Sequence, residues 1–176
     1  MNAGELLPGF VDIQVNGFRG LNFSSAELTF SSAAQACRDY LAASACAAFC
    51  PTVVTASAAA YAHALPILAT VCELPEFRGR IIGLHLEGPF IAKGGGLGAH
   101  DEASVRDPDA EYFDQLCGYA RGHVRILTLS AEAHGAAALV RHAVSRGVLV
   151  RTASPSSLCC AAPHAGPALG PAEPCS

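Results

Sequence analysis

The chain has 176 residues, 51% of them hydrophobic, with 15 acidic and 11 Lys/Arg residues giving a net charge of -4 and a sequence pI near 5.9. That length suits one domain with a sizeable core, and the mild acidity without a basic stripe excludes a nucleic-acid surface. The start MNAGELLPGFVDIQV has neither a basic opening nor an unbroken apolar run, so no secretory signal is legible.

In chain order, Val11 to Val15 reads as a strand closing at Asn16-Gly17. Ser31-Ser32 can cap a helix whose apolar positions Ala33, Ala36, Cys37, Tyr40 and Leu41 follow the 3.6-residue period, with Pro51 limiting its end. The apolar region from Leu41 to Val54 is interrupted by Ser44, Pro51 and Thr52 and is too short for a membrane span. Pro51 to Thr55 is a second strand. Ser57 can open a second helix, kinked or split at Pro66.

Arg80 to Glu87 forms the third strand and ends in the stretch HLEGPF. A glycine-rich loop follows, after which Asp107-Pro108 reads as an N-cap and first helical residue of a helix to about Ala120. His123 to Leu129 is the fourth strand, the helix from about His134 to Arg146 stops at Gly147, and Val148 to Val150 begins a fifth strand. Alternation of this kind implies a parallel sheet with right-handed crossovers. A doubly wound sheet suits the length, but no G-x-G-x-x-G follows the first strand.

Composition changes after Val150. Residues 1–150 read as the folded part, and 151–176, rich in Ala, Pro, Ser and Cys, as a low-complexity tail expected to be disordered. The eight cysteines form no C-x-x-C pair and read as small buried thiols of a cytoplasmic protein.

His85 and Glu87 lie at i and i+2 and so share one face of the third strand. A carboxylate buried there needs an ionic partner or a metal, and the pattern serves either equally. Gln14 and Asn16 stand at the end of the first strand, where they can satisfy backbone groups or touch a ligand. His100 is on its own a solvated loop histidine, and the run Gly94-Gly95-Gly96 lacks the Gly-Lys-Ser/Thr ending of a phosphate loop.

PGFVDIQVNG at Pro8 to Gly17 and GLHLEGPF at Gly83 to Phe90, ahead of a loop ending in Gly98-Ala99-His100, together resemble the amidohydrolase superfamily, and within it the N-acetylglucosamine-6-phosphate deacetylase family. The resemblance spans residues 7 to 150. It implies a partial TIM-type (β/α) barrel of about four β-α units, in the α/β class. It also implies metal-assisted hydrolysis of N-acetylglucosamine 6-phosphate to glucosamine 6-phosphate and acetate in a cytoplasmic enzyme that is commonly homodimeric. On this resemblance Glu87 is a ligand of a catalytic divalent cation, whose identity stays open. Ala99 and His100 match the substrate-contacting loop, and Gln14 and Asn16 match a Gln-x-Asn that can touch substrate or water. His85 is expected to give a supporting hydrogen bond, while Glu132 matches the fourth-strand ending only in part.

Where the family carries Gly-His-Ser this chain has Arg151-Thr152-Ala153-Ser154-Pro155. Two histidine ligands and the catalytic aspartate of the family are therefore not matched, and His164 takes no role. The chain is expected to be a truncated form, through a frame change, an alternative transcript or an incomplete gene model. Two readings follow: a deacetylase, or a catalytically inactive fragment that at most associates with full-length subunits. A half barrel would also leave its first and last strands unpaired, which favours association.

Overall fold

The computed structural model describes residues 9–93 and 100–153. Among these residues seven strands and four α-helices follow in the order β1 (Phe10–Val15), β2 (Gly17–Phe18), β3 (Leu21–Asn22), α1 (Phe30–Ala43), β4 (Cys46–Val54), α2 (Ala58–Cys72), β5 (Leu84–Glu87), α3 (Ala110–Tyr119), β6 (Val124–Ser130), α4 (Ala136–Ser145) and β7 (Leu149–Ala153). The glycine run, Ala99, Ser154-Pro155 and His164 lie outside the described residues, as does the tail from residue 154.

Five strands form one sheet in the order β1-β4-β5-β6-β7, and every ladder in it is parallel. Each successive strand adds beside the last, and α1 touches α2, α2 touches α3, and α3 touches α4. The helices therefore share one face, whereas a doubly wound sheet would divide them between two. The opposite face is concave. Gln14 on β1 accepts a hydrogen bond at 3.1 Å from Arg151 on β7, although four strand spacings would put β1 and β7 roughly 19 Å apart in a flat sheet. Only a strongly curled sheet brings these side chains together. The chain is a partial (β/α) barrel.

Between sheet and helices lies the core, built from alternate strand residues. Phe49 and Val53 of β4, Leu84 and Leu86 of β5, and Leu127 and Leu129 of β6 are all fully buried there. α1 answers with Ala33, Ala36, Cys37 and Tyr40 at the spacing of one helical stripe. Its N-cap is Thr29 rather than Ser31-Ser32: Thr29 Oγ1 accepts from the Ser32 amide and Ser32 Oγ accepts from the Thr29 amide, both at 3.1 Å. Serine two or three residues into the helix thus completes a capping box.

Pro51 does not end α1. The helix stops at Ser44, and β4 begins at Cys46, five residues before the proline. Pro51 has no N–H for the ladder, and β1 is irregular opposite it. There the Val15 amide turns to Thr52 Oγ1 at 3.1 Å instead. Pro66 likewise sits inside an unbroken α2, because the surrounding Leu65, Leu68, Ala69 and Val71 are completely buried. α3 is capped by Asp109, whose carboxylate accepts from the Glu111 and Tyr112 amides, so Asp107-Pro108 precedes the helix rather than starting it. The third strand is shorter than the sequence suggests: Ile81 makes an isolated bridge to Phe49, and regular pairing resumes at Leu84. The boundary at residue 150 also moves, since Arg151, Thr152 and Ala153 continue β7 in register with β6.

Cys37, Cys50 and Cys117 are buried, while Cys46 and Cys72 are half-buried. Burial pushes the Cys37 thiol up to about 12, which keeps it protonated and unreactive. Phe10, Val11 and Ile13 on β1 and Leu149 on β7 are exposed, so apolar surface gathers at both edges of the sheet.

Leu86 lies at the centre of the core and is wholly buried. Leu86→Ala is expected to cost about 2–5 kcal/mol, read as a lowered urea midpoint at unchanged slope.

Candidate active site on the concave face

His85 projects from β5 onto the concave face and is completely buried. Its Nδ1 lies 2.8 Å from the Ile13 carbonyl on β1 and its Nε2 lies 2.7 Å from Thr128 Oγ1 on β6. A carbonyl can only accept, so Nδ1 carries the proton and Nε2 accepts from the threonine hydroxyl. Thr52 Oγ1, which donates to the Cys50 carbonyl at 3.1 Å, fills the space beneath Nδ1. One neutral imidazole thereby joins β1, β5 and β6, reaching β1 across the intervening β4. Burial is the main reason its pKa falls from 6.5 to about 4; the Ile13 carbonyl opposes the shift, and the Arg151 charge adds to it.

Glu87 stands on the same face, two residues nearer the carboxyl end of β5, and is half-buried. Its backbone carbonyl accepts from Thr55 Oγ1 at 3.2 Å, and the next amide, Gly88, donates to the Thr128 carbonyl at 3.0 Å. Gly88 has φ 97°, and a Cβ there would run into Thr55 Oγ1. Glycine is therefore required for the chain to turn away directly after the carboxylate. Among the described residues no ion pair or hydrogen bond reaches the Glu87 carboxylate. His85 gives its bonds to Ile13 and Thr128 rather than to Glu87, because its ring is held one layer below.

His100 is half-buried near Glu87. Burial lowers its pKa, and the Glu87 charge acts in the opposite direction. Gln14 is half-buried on the concave face and engaged by Arg151, while Asn16 is exposed just past β1, with its carbonyl accepting from the Phe23 amide at 2.9 Å. Ala99 lies outside the described residues. Glu132 is exposed in the turn after β6. The sequence reading missed Thr52, Thr128 and Arg151. Thr52 and Thr128 were legible as polar residues in apolar strands at the same period-2 phase as His85, but Arg151 was not, since it fell within the segment read as tail.

Among the described residues no group of three or more His, Cys, Asp or Glu side chains is placed to hold a metal ion. Glu87 offers one anionic donor, and a catalytic zinc takes three protein ligands. The described side chains therefore do not make a complete metal centre.

No protein-family model matches the chain. N-acetylglucosamine-6-phosphate deacetylase of Homo sapiens is 36% identical to it over 147 residues, covering 82% of this chain and 36% of the relative. A solved structure of the deacetylase from Mycobacterium smegmatis, in complex with N-acetyl-D-glucosamine-6-phosphate, superposes with a TM-score of 0.70 at 32% identity, again over 82% of this chain and 36% of that one. The chain is a homologue of the N-acetylglucosamine-6-phosphate deacetylases. The deacetylase of Caenorhabditis elegans is 31% identical over 96% of this chain and 39% of its own length. The chain thus spans a little over a third of the deacetylases it matches. Among the described residues no helix is long and apolar enough to cross a membrane.

The imidazole of His85 makes stability depend on pH. Its folded pKa lies below its unfolded one, so below pH 6.5 the unfolded chain binds a proton that the folded chain refuses, and stability falls until the pH reaches about 4. Between pH 7 and 4.5 this group should remove about 2 kcal/mol. Urea titrations of wild type and His85→Asn at both pH values isolate it, with the larger loss expected in the wild type.

Proposed function

We propose that this chain carries part of a deacetylase centre for N-acetylglucosamine 6-phosphate, a hydrolase site yielding glucosamine 6-phosphate and acetate in amino-sugar catabolism. Glu87 is the observation that supports it most: an acidic side chain at the carboxyl end of an inner strand, on the concave face, with no counter-charge among the described residues. The carboxyl end of such strands is where (β/α) barrels place their chemistry. In this reading Glu87 supplies one ligand to a divalent cation of the metal-assisted centre. His100, with Ala99 before it, contacts the sugar from the β5–α3 loop, and Gln14 and Asn16 contact substrate or water from the end of β1. We place the protein in the cytoplasm, and propose a homodimer by analogy with the family.

The lack of a three-donor cluster among the described residues favours a second reading for the 176-residue polypeptide: a catalytically inactive form that associates with full-length subunits. The catalytic aspartate of the family is also not matched in this sequence. General acid–base catalysis is worth about 10²- to 10⁴-fold, so the purified chain supplied with a divalent metal should release acetate at least about 100-fold more slowly than the human relative. Glu87→Gln should abolish the residual activity. A rate equal to the relative's would exclude the inactive form, and equal turnover by wild type and Glu87→Gln would exclude the role of Glu87.

A further inference from the structure

Arg151 brings a fixed cation onto the concave face, in the stretch where the Gly-His-Ser of the family finds no match. In the parallel register Glu87 pairs with Thr128 and Thr128 with Arg151, so all three stand at one level. Leu127, Leu129 and Val150 pack toward the helices, which puts Arg151 on the concave side with Glu87. Gln14 Oε1 accepts one N–H of the guanidinium at 3.1 Å. Among the described residues no carboxylate lies within ion-pair distance of Arg151, and no cationic group lies within that distance of Glu87. Two opposite charges thus share one concave face without meeting.

A guanidinium stays charged at any working pH, and the neutral amide that holds it removes none of that charge. With β6 between them, Arg151 and Glu87 stand two strand spacings apart, on the order of 10 Å. In a dielectric between those of water and protein, and at low ionic strength, a unit charge at that range weakens the binding of a divalent ion about fivefold or more. Glu87 is a single anionic donor and has little affinity to lose. We propose that Arg151, oriented by Gln14, keeps divalent metal ions off Glu87, so that this polypeptide opposes the cation by charge as well as by its shortage of ligands. The inference rests on the reading of Glu87 as a metal ligand, and it gives the inactive form a physical cause. Gln14 acts as a positioning residue for the guanidinium.

The test is titration of the full chain with Mn²⁺ at low ionic strength, read as paramagnetic broadening of the Gly88 amide resonance, the amide next to Glu87. Arg151→Gln should bind Mn²⁺ about fivefold or more tightly than wild type. Arg151→Lys, which keeps the charge, should stay as weak as wild type. Arg151→Thr, a residue suited to a strand, replaces the glutamine variant if that one fails to fold. Arg151 is exposed, so at 1 M KCl, where the Debye length falls to about 3 Å, the gap between wild type and the neutral variant should close. Equal affinity in wild type and the neutral variant, with broadening that Glu87→Gln removes, would overturn the inference and leave Glu87 standing as a ligand. An equal gain in Arg151→Lys, or a gap undiminished by salt, would trace the effect to shape rather than charge and overturn it as well. Broadening at Gly88 that no variant loses on Glu87→Gln would overturn the inference together with the ligand role of Glu87.

Discussion

A single uncharged ring, that of His85, ties the curled sheet together across its inner face. Its two nitrogens are committed to opposite sides, Nδ1 as donor to the Ile13 carbonyl and Nε2 as acceptor from Thr128, so β1 and β6 are tied through β5. Because the bond to Ile13 passes over β4, it can exist only when the sheet is bent toward its inner face. Both ring nitrogens are satisfied, which is what makes complete burial of a histidine tolerable. A second proton, on Nε2, would place a charge in the interior.

The residues of the proposed site inherit their positions from this arrangement. Glu87 sits one side-chain layer above the ring on the same strand, and its carbonyl and the following amide are fixed by Thr55 and Thr128. Gln14 follows the residue whose carbonyl receives the imidazole proton. Arg151 is the register neighbour of the residue that donates to Nε2. Displacing the ring would therefore move the carboxylate, the amide and the guanidinium together. The core beneath them is conventional by comparison, an aliphatic layer between one sheet face and one layer of helices.

Much of this was legible from residue order. The i, i+2 phase of His85 and Glu87 identified a shared face, and the resemblance carried by HLEGPF pointed to the carboxyl end of that strand, where the proposed site lies. Alternating elements also gave the parallel sheet. Proline misled where tertiary pairing took over: Pro51 reads as the limit of α1 and the start of the next strand but lies in the middle of β4, and Pro66 reads as a break but lies within α2. The cap of α1 moved from Ser31-Ser32 to Thr29 because a reciprocal bond from Ser32 decides it, and composition does not distinguish the two serines from the threonine. Local signals could not reveal the Gln14–Arg151 contact, which joins residues 137 positions apart through the curvature of the whole sheet. Composition also placed Arg151 in the tail, although its pairing with β6 makes it strand.

Long-range proton–nitrogen correlation spectra of the histidine rings, recorded at neutral pH, test this account most directly. The account predicts that His85 carries its proton on Nδ1, slow to exchange with water, with Nε2 unprotonated. A proton on Nε2, or an imidazole exchanging as fast as an exposed histidine, would contradict it.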